Sequence, residues 1–345
     1  MRYFVIIGST PVRISFSGGG TDMPEYFNEF GGNVLTSTIS KFTYAIFHPR
    51  YDDSFQAFSP DFEAHYKPTK YSKIKIETGS ELAVAVIKYL KFKQGVNVIV
   101  ASDVPGGSGL GGSGSLTVNL VYTIHKIKQK KISKSQIAED SFHIGRKLLK
   151  MPIGKQDEYI ASYGGLKYIT FNKEKIKVEK IKINKPTLKK LDQNLILFFV
   201  GDTRNSTSIL SQQLSRIKNK DKVIINSLNQ VKLLCQEMHD SLRNNDITKF
   251  GEILNKSWLK KREFVKGVSN SKIDKIYQIA IKNGATGGKL TGAGGGGHML
   301  FYCEKKNQQK LIHKLESMKL KHIDFNLYDK GPEIAYMSNK TQNQN

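Results

Sequence analysis

The stretch Val104-Pro105-Gly106-Gly107-Ser108-Gly109-Leu110-Gly111-Gly112-Ser113-Gly114-Ser115 is too rich in glycine for the interior of a helix or a strand. It is predicted to be a loop. Before it, residues 96–100 form a short β-branched strand. After it, Leu116, Leu120 and Ile124, with Val121 between, recur at a helical period over residues 113–128. Strand, glycine loop and helix in succession expose backbone N–H groups beside the positive end of a helix dipole, an arrangement that binds phosphate. A flexible linker shares this composition, but linkers are seldom followed at once by an amphipathic helix.

Two familiar phosphate loops do not fit. Gly107, Gly109 and Gly112 satisfy G-x-G-x-x-G. A dinucleotide site also wants an acidic residue about 20 positions later, and no Asp or Glu occurs between Val104 and Ala138. A P-loop requires G-x-x-x-x-G-K-[ST], whereas Gly288-Lys289 is followed by Leu290.

At 345 residues the chain exceeds what one core usually accommodates, so two domains are expected. No apolar run approaches the roughly 20 residues of a membrane span, and the apolar stretch near the N-terminus is too short for a signal-peptide core. Cys235 and Cys303 lie far apart in apolar surroundings and read as buried thiols. These features point to a cytoplasmic protein without a membrane partner. The formal net charge of +24 is spread through almost every segment, with no arginine-rich arm and no basic stripe interleaved with aromatics. Specific nucleic-acid binding is therefore not expected, and the positive field suits a phosphorylated small molecule equally well.

Along the chain, residues 3–16 read as a strand entering Gly18-Gly19-Gly20, residues 33–48 as further strands, 79–93 as a helix and 134–150 as another, capped by Ser133 or Ser135. Residues 174–185 alternate charged and apolar side chains as an edge strand does. Pro186 and the polar stretch to Asn194 read as a domain boundary. A buried strand at 195–200, helices at 220–243, 246–266 and 271–283, a strand at 298–303, a helix near 307–318 and a strand near 332–337 follow. Residues 338–345 are expected to be a disordered tail. Strands and helices mix without strict alternation, which favours an α+β class.

Two further segments share the character of the glycine loop. One is Pro11-Val12-Arg13-Ile14-Ser15-Phe16-Ser17-Gly18-Gly19-Gly20-Thr21-Asp22, the other Lys289-Leu290-Thr291-Gly292-Ala293-Gly294-Gly295-Gly296-Gly297-His298. Each alone could be a turn. Together the three resemble, in order and spacing, the motifs of the GHMP kinases, from about residue 9 to residue 337. The first segment, with Pro152-Ile153-Gly154-Lys155-Gln156-Asp157-Glu158-Tyr159 and Ala161-Ser162-Tyr163-Gly164-Gly165, resembles the branch of that family that phosphorylates the anomeric hydroxyl of D-glycero-D-manno-heptose 7-phosphate. Fucose kinases are similar too.

The resemblance implies two α+β lobes: a ribosomal S5 domain 2-like lobe over residues 1–190 and a ferredoxin-like lobe over 191–337. ATP and a sugar phosphate would meet between them. It implies Asp157 and Arg13 as the catalytic residues: Asp157 would accept or orient the proton of the attacking hydroxyl, and Arg13 beside it would hold that carboxylate and stabilise charge on the moving phosphoryl group. A loop carboxylate capping a helix and an ordinary strand-end arginine are the plainer readings of these two. Pro105 to Ser115 would wrap the ATP phosphates, and Ser113 would ligate Mg²⁺. Gly18, Gly19, Gly20, Thr21, Asp22, Gln156, Gly294 and Gly295 would surround the substrate, although Asp22 also suits a simple turn after Thr21. Arg146, Lys155 and Lys289 are basic residues that could meet a substrate phosphate, and His298 reads as structural. One departure stands out. The family commonly places a second Mg²⁺ ligand, a glutamate, where this chain has Gly145. Glu139, Asp140 or Asp157 could replace it. The reading taken is that Ser113, the ATP phosphates and waters hold the ion. A fucose-type sugar kinase, or a nucleotide- or RNA-binding protein that has lost catalysis, are the alternatives. The protein is expected to be a monomer or homodimer.

Overall fold

A computed structural model of the chain describes residues 5–76, 79–201 and 206–338. In order, the elements of the first half are β1 (Ile6–Ser17), α1 (Pro24–Phe30), β2 (Gly32–Pro49), β3 (Ser54–Ser59), β4 (Ala64–Lys70), α2 (Glu81–Tyr89), β5 (Val96–Ser102), α3 (Gly112–Ile127), α4 (Lys134–His143), α5 (Gln156–Tyr163), β6 (Leu166–Phe171) and β7 (Ile176–Lys180). The second half runs α6 (Lys185–Gln193), β8 (Leu195–Gly201), α7 (Ser206–Lys218), α8 (Lys222–Arg243), α9 (Ile247–Lys261), α10 (Ser271–Lys282), β9 (Ala285–Leu290), β10 (Gly297–Cys303), α11 (Lys305–Glu316), β11 (Lys321–Ile323) and β12 (Glu333–Met337).

The fold is α+β and two-lobed. One sheet has the order β12-β1-β2-β5-β3-β4, with β6 and β7 branching from β2; the other has the order β11-β8-β10-β9. The 18-residue β2 has three partners: β1 runs along it, residues 32–37 pair with β6 and residues 43–49 with β5. Its burial is continuous over the first eight residues, as expected of a strand covered on both faces. The lobes share apolar packing. Val12, Ile14, Phe16 and Leu35 of the first sheet join Met238, Phe250 and Leu254 of α8 and α9 and Leu197 and Leu300 of the second sheet in one buried cluster. Phe16 meets Phe250 edge to face at 5.3 Å between ring centroids. The cleft walls thus rest on a common core rather than on a hinge of bare linker.

Several expectations change. The polar stretch read as a boundary lies between β7 of one sheet and β8 of the other and is folded as helix α6, because Asn184 accepts from the Thr187 N–H and Pro186 sits in the first turn, where its missing donor costs nothing. The helix expected over 134–150 is capped by Ser133, which accepts from the Gln136 N–H, but it widens after His143 into a π-type turn, Ile144–Leu148, containing Gly145. The last strand, read with the second lobe, returns to the first and pairs antiparallel with β1. Ser338, read as tail, is ordered: its N–H donates to the Val5 carbonyl and its hydroxyl accepts from the Val5 N–H. The rest of that tail, 339–345, lies outside the described residues. Elements α1, β3, β4, α5, β6, α7, β9 and β11 had no counterpart among the sequence expectations. Both cysteines are free and buried, and among the described residues no helix is long and apolar enough to cross a membrane.

Candidate active site

Arg13 lies deep in β1 and Asp157 in the first turn of α5, and the fold brings them together. Arg13 Nε donates to Asp157 Oδ1 and Nη2 to Oδ2, both at 2.7 Å, while Nη1 donates to the Gly109 carbonyl at 2.6 Å. This fork-to-fork pairing fixes the plane of the carboxylate. The Arg13 side chain is 5% exposed and that of Asp157 27%, so the cation is enclosed while the carboxylate stays open to the cleft. Asp157 does not cap its helix, and neither does the side chain of Lys155 at the N-cap.

The glycine loop lies across this pair. The Arg13 N–H donates to the Leu110 carbonyl. Pro105, Gly107, Ser108, Gly109, Gly111, Gly112, Ser113 and Gly114 line a cavity that Arg13, Asp157 and Glu158 close from below. Gly106 faces an adjoining recess with Leu82 and Leu116. Two loop residues face inward instead: Leu110 is part of the shared core, and Ser115 donates to the carbonyls of Thr10 and Pro11. The third glycine segment clamps the loop from the second lobe. A Cβ on Gly292 would stand 2.5 Å from Gly109 Cα, so backbone meets backbone there with no room for a side chain. The buried His298 ring has Nδ1 3.0 Å from the Ser108 carbonyl, the structural role expected of it. Gly294 and Gly295, read as substrate residues, pack on Val268 of the second lobe, and Gly292 and Ala293 face the cleft in their place.

A second cavity adjoins the first, with Arg13, Asp157, Gly292 and Ala293 as common walls. Gly19, Gly20, Asp22 and Gln156 line it, as do Ser15, Gln213 and Lys261. Gly18 and Thr21 build the turn: the Thr21 hydroxyl donates to the Gly18 and Asn33 carbonyls. Asp22 is buried, and its two oxygens accept from the N–H groups of Gly20 and Gln156. It therefore ties the first glycine loop to the Asp157 loop. Burial raises its pKa, the N–H of Gln156 opposes this, and the Asp157 charge adds to the rise. The three basic residues considered for a phosphate are committed elsewhere. Arg146 pairs with Glu25, Lys155 with Glu139, and the buried Lys289 donates to the Ser15 carbonyl.

Four residues escaped the sequence reading. Ser15 Oγ, Gln213 Nε2 and Glu158 Oε2 are buried polar atoms without a partner, and so is Gln156 Oε1, an atom of a residue already singled out. Glu158 stands beside Gly114, and burial, then the Asp157 charge, push its carboxyl well above the usual range. Lys261 ends α9, and its ammonium donates to the Gly292 carbonyl. Phe250, Leu254, Ser257 and Trp258, all buried, precede it at helical spacing, so its place on the apolar face was readable. Gln213 shares the inward face of α7 with Ile209 and Ile217, but that helix was not foreseen. Gly145 does border the glycine-loop cavity, whereas Glu139 is held by Lys155 and Tyr159, and Asp140 by Tyr89 and Gln136.

Residues 81–165 match the family model described as GHMP kinases N terminal domain, and residues 238–319 that described as GHMP kinases C terminal. The D-glycero-alpha-D-manno-heptose 7-phosphate kinase of Campylobacter jejuni is 29% identical over 328 residues, covering 93% of this chain and 96% of the relative. The L-fucokinase/L-fucose-1-P guanylyltransferase of Bacteroides fragilis is 22% identical over 96% of this chain but only 38% of its own length. Among solved structures, a D-glycero-D-manno-heptose 1-phosphate kinase from Bacteroides thetaiotaomicron superposes with a TM-score of 0.80 at 21% identity, covering 95% of this chain and 98% of the other. A segment in each half of the chain matches a domain of one family, and the glycine loops of the chain converge on one cleft: the chain belongs to the GHMP kinases.

Proposed function

We propose that the protein is an ATP-dependent sugar kinase, and that its substrate is D-glycero-D-manno-heptose 7-phosphate, phosphorylated at the anomeric hydroxyl. The observation that carries this reading is the position of Asp157, held by Arg13 where the phosphate-side cavity opens into the polar one. A sugar hydroxyl in the polar cavity would give its proton to the outer lone pairs of Asp157 while its oxygen attacks the terminal phosphorus of ATP, and ADP would leave. Such catalysis is mostly positioning and charge stabilisation. The fixed plane of the Asp157 carboxylate supplies the first. The loop N–H groups and the start of α3 supply the second. The orphaned Ser15 Oγ, Gln156 Oε1 and Gln213 Nε2 suit a polar ligand carrying hydroxyl and phosphoryl oxygens, since each buried atom then gains the partner it lacks.

The nucleotide base would lie in the neighbouring cavity of about 660 Å³ lined by Phe58, Leu82, Val100, Leu116, Leu148 and Met151. Among the described residues no cluster of three metal-ligating side chains exists. Ser113 at the cavity rim and the orphaned Glu158 oxygen fit an ion that takes few protein ligands and keeps its waters. Bound there, Mg²⁺ would neutralise charge on the ATP phosphates. The similarity to the Campylobacter enzyme along nearly its whole length supports the heptose 7-phosphate. In this reading the product feeds nucleotide-activated heptose for surface polysaccharide, in the cytoplasm. A fucose-type sugar 1-kinase is the second reading, favoured by the match to the fucokinase. The test is ADP release with Mg-ATP and a panel of sugars and sugar 1-, 6- and 7-phosphates. Heptose 7-phosphate should give the highest kcat/KM by a wide margin. Comparable turnover of fucose transfers the assignment to the second reading, and comparable turnover of mevalonate removes the sugar reading altogether.

A further inference from the structure

Lys261 is 8% exposed and makes no ion pair among the described residues; its one hydrogen bond goes to the Gly292 carbonyl. An ammonium has three protons to donate, so two point to no protein acceptor. A cation taken out of water without an anionic partner is costly and persists where a ligand supplies the missing charge. The surroundings fit that explanation. Gln213 Nε2 and Ser15 Oγ, on residues each 3% exposed, line the same cavity as unpartnered donors. Of the other nearby cations, Arg13 is paired with Asp157 and Gly109, and Lys289, bonded to the Ser15 carbonyl, lines neither cavity, so among the described residues Lys261 is the unpaired cation that faces the polar one. Gly292, on which Lys261 rests, is the residue that packs on Gly109 of the phosphate loop. The ammonium therefore lines the polar cavity and is hydrogen-bonded to a residue that both cavities share as a wall.

We propose that Lys261, with Gln213 and Ser15, forms a phosphoryl-anion subsite on the second-lobe wall of the cleft. A cation and two neutral donors, all buried, match the acceptor oxygens of a phosphate group. The group has two sources, the terminal phosphate of ATP or the phosphate that the sugar substrate already carries. The inference rests on the kinase reading above. Burial, reinforced by the Arg13 charge and opposed by Asp22 and Asp157, lowers the Lys261 pKa to about 8, and an arriving phosphate dianion would favour the charged form again.

Titration calorimetry on the full chain tests it, with a non-hydrolysable ATP analogue, ADP, heptose 7-phosphate and unphosphorylated heptose as probes. Lys261→Met should weaken one phosphoryl ligand at least tenfold. If the sugar phosphate is the source, heptose 7-phosphate is weakened and heptose is unaffected. If the nucleotide is the source, the ATP analogue is weakened and ADP is not. Lys261→Arg should restore part of the loss, and Gln213→Leu, which leaves the lysine in place, should weaken the same ligand by a smaller factor. All four affinities staying within twofold in Lys261→Met and Gln213→Leu, while the wild type binds nucleotide and sugar phosphate, overturns the subsite alone. A wild type that binds neither overturns the kinase reading itself.

Discussion

Arg13 directs all of its side-chain hydrogen bonds to Asp157 and the Gly109 carbonyl, so it positions the carboxylate and the loop while forming a wall that both cavities share. Asp157→Asn should lower kcat by roughly 100-fold or more, the range for removing a general base, with nucleotide affinity largely kept. Arg13→Ala should act in the same direction. Because the two side chains form one unit, the double variant should lose much less than the product of the single losses. Steady-state kinetics of the three variants decides this, and a fully multiplicative double variant would show two independent roles. Lys261 adds a pH dependence. The charged groups acting on it are Arg13, Lys289, Asp22 and Asp157. With a pKa lowered to about 8, it becomes neutral as the pH rises through that value, so kcat/KM for the phosphorylated substrate should fall above pH 8. Lys261→Arg should shift the fall to higher pH; a profile identical in wild type and Lys261→Arg assigns the fall to another group. For the stability of the ligand-free protein the sign is reversed. Below about pH 8 the folded state bears the full cost of the buried charge. From there up to the usual lysine range the unfolded chain binds the extra proton, so this group's contribution to stability rises with pH.

The cleft is assembled from the ends of elements: the end of β1, the start of α3, the start of α5, the end of α9 and the turn between β9 and β10. Glycine density made the loop before α3 and the other two glycine segments legible in the sequence. Period-2 and period-3.6 patterns located β5, α3, α8, α9 and α10 to within a few residues. What escaped has physical causes. Strand β9 reads Ala-Thr-Gly-Gly-Lys-Leu, with glycines where β-branched residues would signal a strand. They are there because α9 packs directly on it: a Cβ on Gly287 would stand 2.1 Å from the Gly251 carbonyl oxygen. Lys261 lay on the apolar stripe of α9, but in a chain with 54 lysines and arginines a single basic residue gives no local signal. The clamp of β9–β10 on the phosphate loop is testable. Gly292 has φ +65°, and its absent Cβ would overlap Gly109. Gly292→Ala should push the third segment off the loop and weaken nucleotide binding by at least several-fold, measured by fluorescent nucleotide titration, with the thermal midpoint lowered. Unchanged nucleotide affinity would mean that the loop holds its shape without the clamp.

At the scale of the molecule, the chain closes on itself. After the second lobe it returns across the first. The Tyr328 N–H donates to the Thr38 carbonyl and the Thr38 hydroxyl to the Tyr328 carbonyl, and β12 then adds itself to the edge of β1. Between these contacts the backbone at Lys330 and Gly331 lies against the end of α5. A Cβ on Gly164 would stand 2.0 Å from the Lys330 carbonyl carbon, and one on Gly331 would stand 2.5 Å from the Ser162 carbonyl oxygen. The returning segment thus buttresses the helix whose first turn carries Asp157, although none of its residues lines either cavity at the phosphate loop. It also covers the outer edge of β1, which would otherwise present unpaired backbone groups. A chain ending at Asn326 loses this ladder, in which each backbone hydrogen bond contributes about 0.5–1.5 kcal/mol net. Its thermal midpoint should drop by several degrees. Its kcat should fall because α5 is no longer braced, while its affinity for nucleotide, which the proposed function places at the glycine loop and α3, should change little. Calorimetry and single-turnover kinetics on the truncated protein separate these effects. A truncated protein that melts lower yet keeps its full kcat would show that α5 holds Asp157 in place unaided, and would reduce the returning strand to an edge cover.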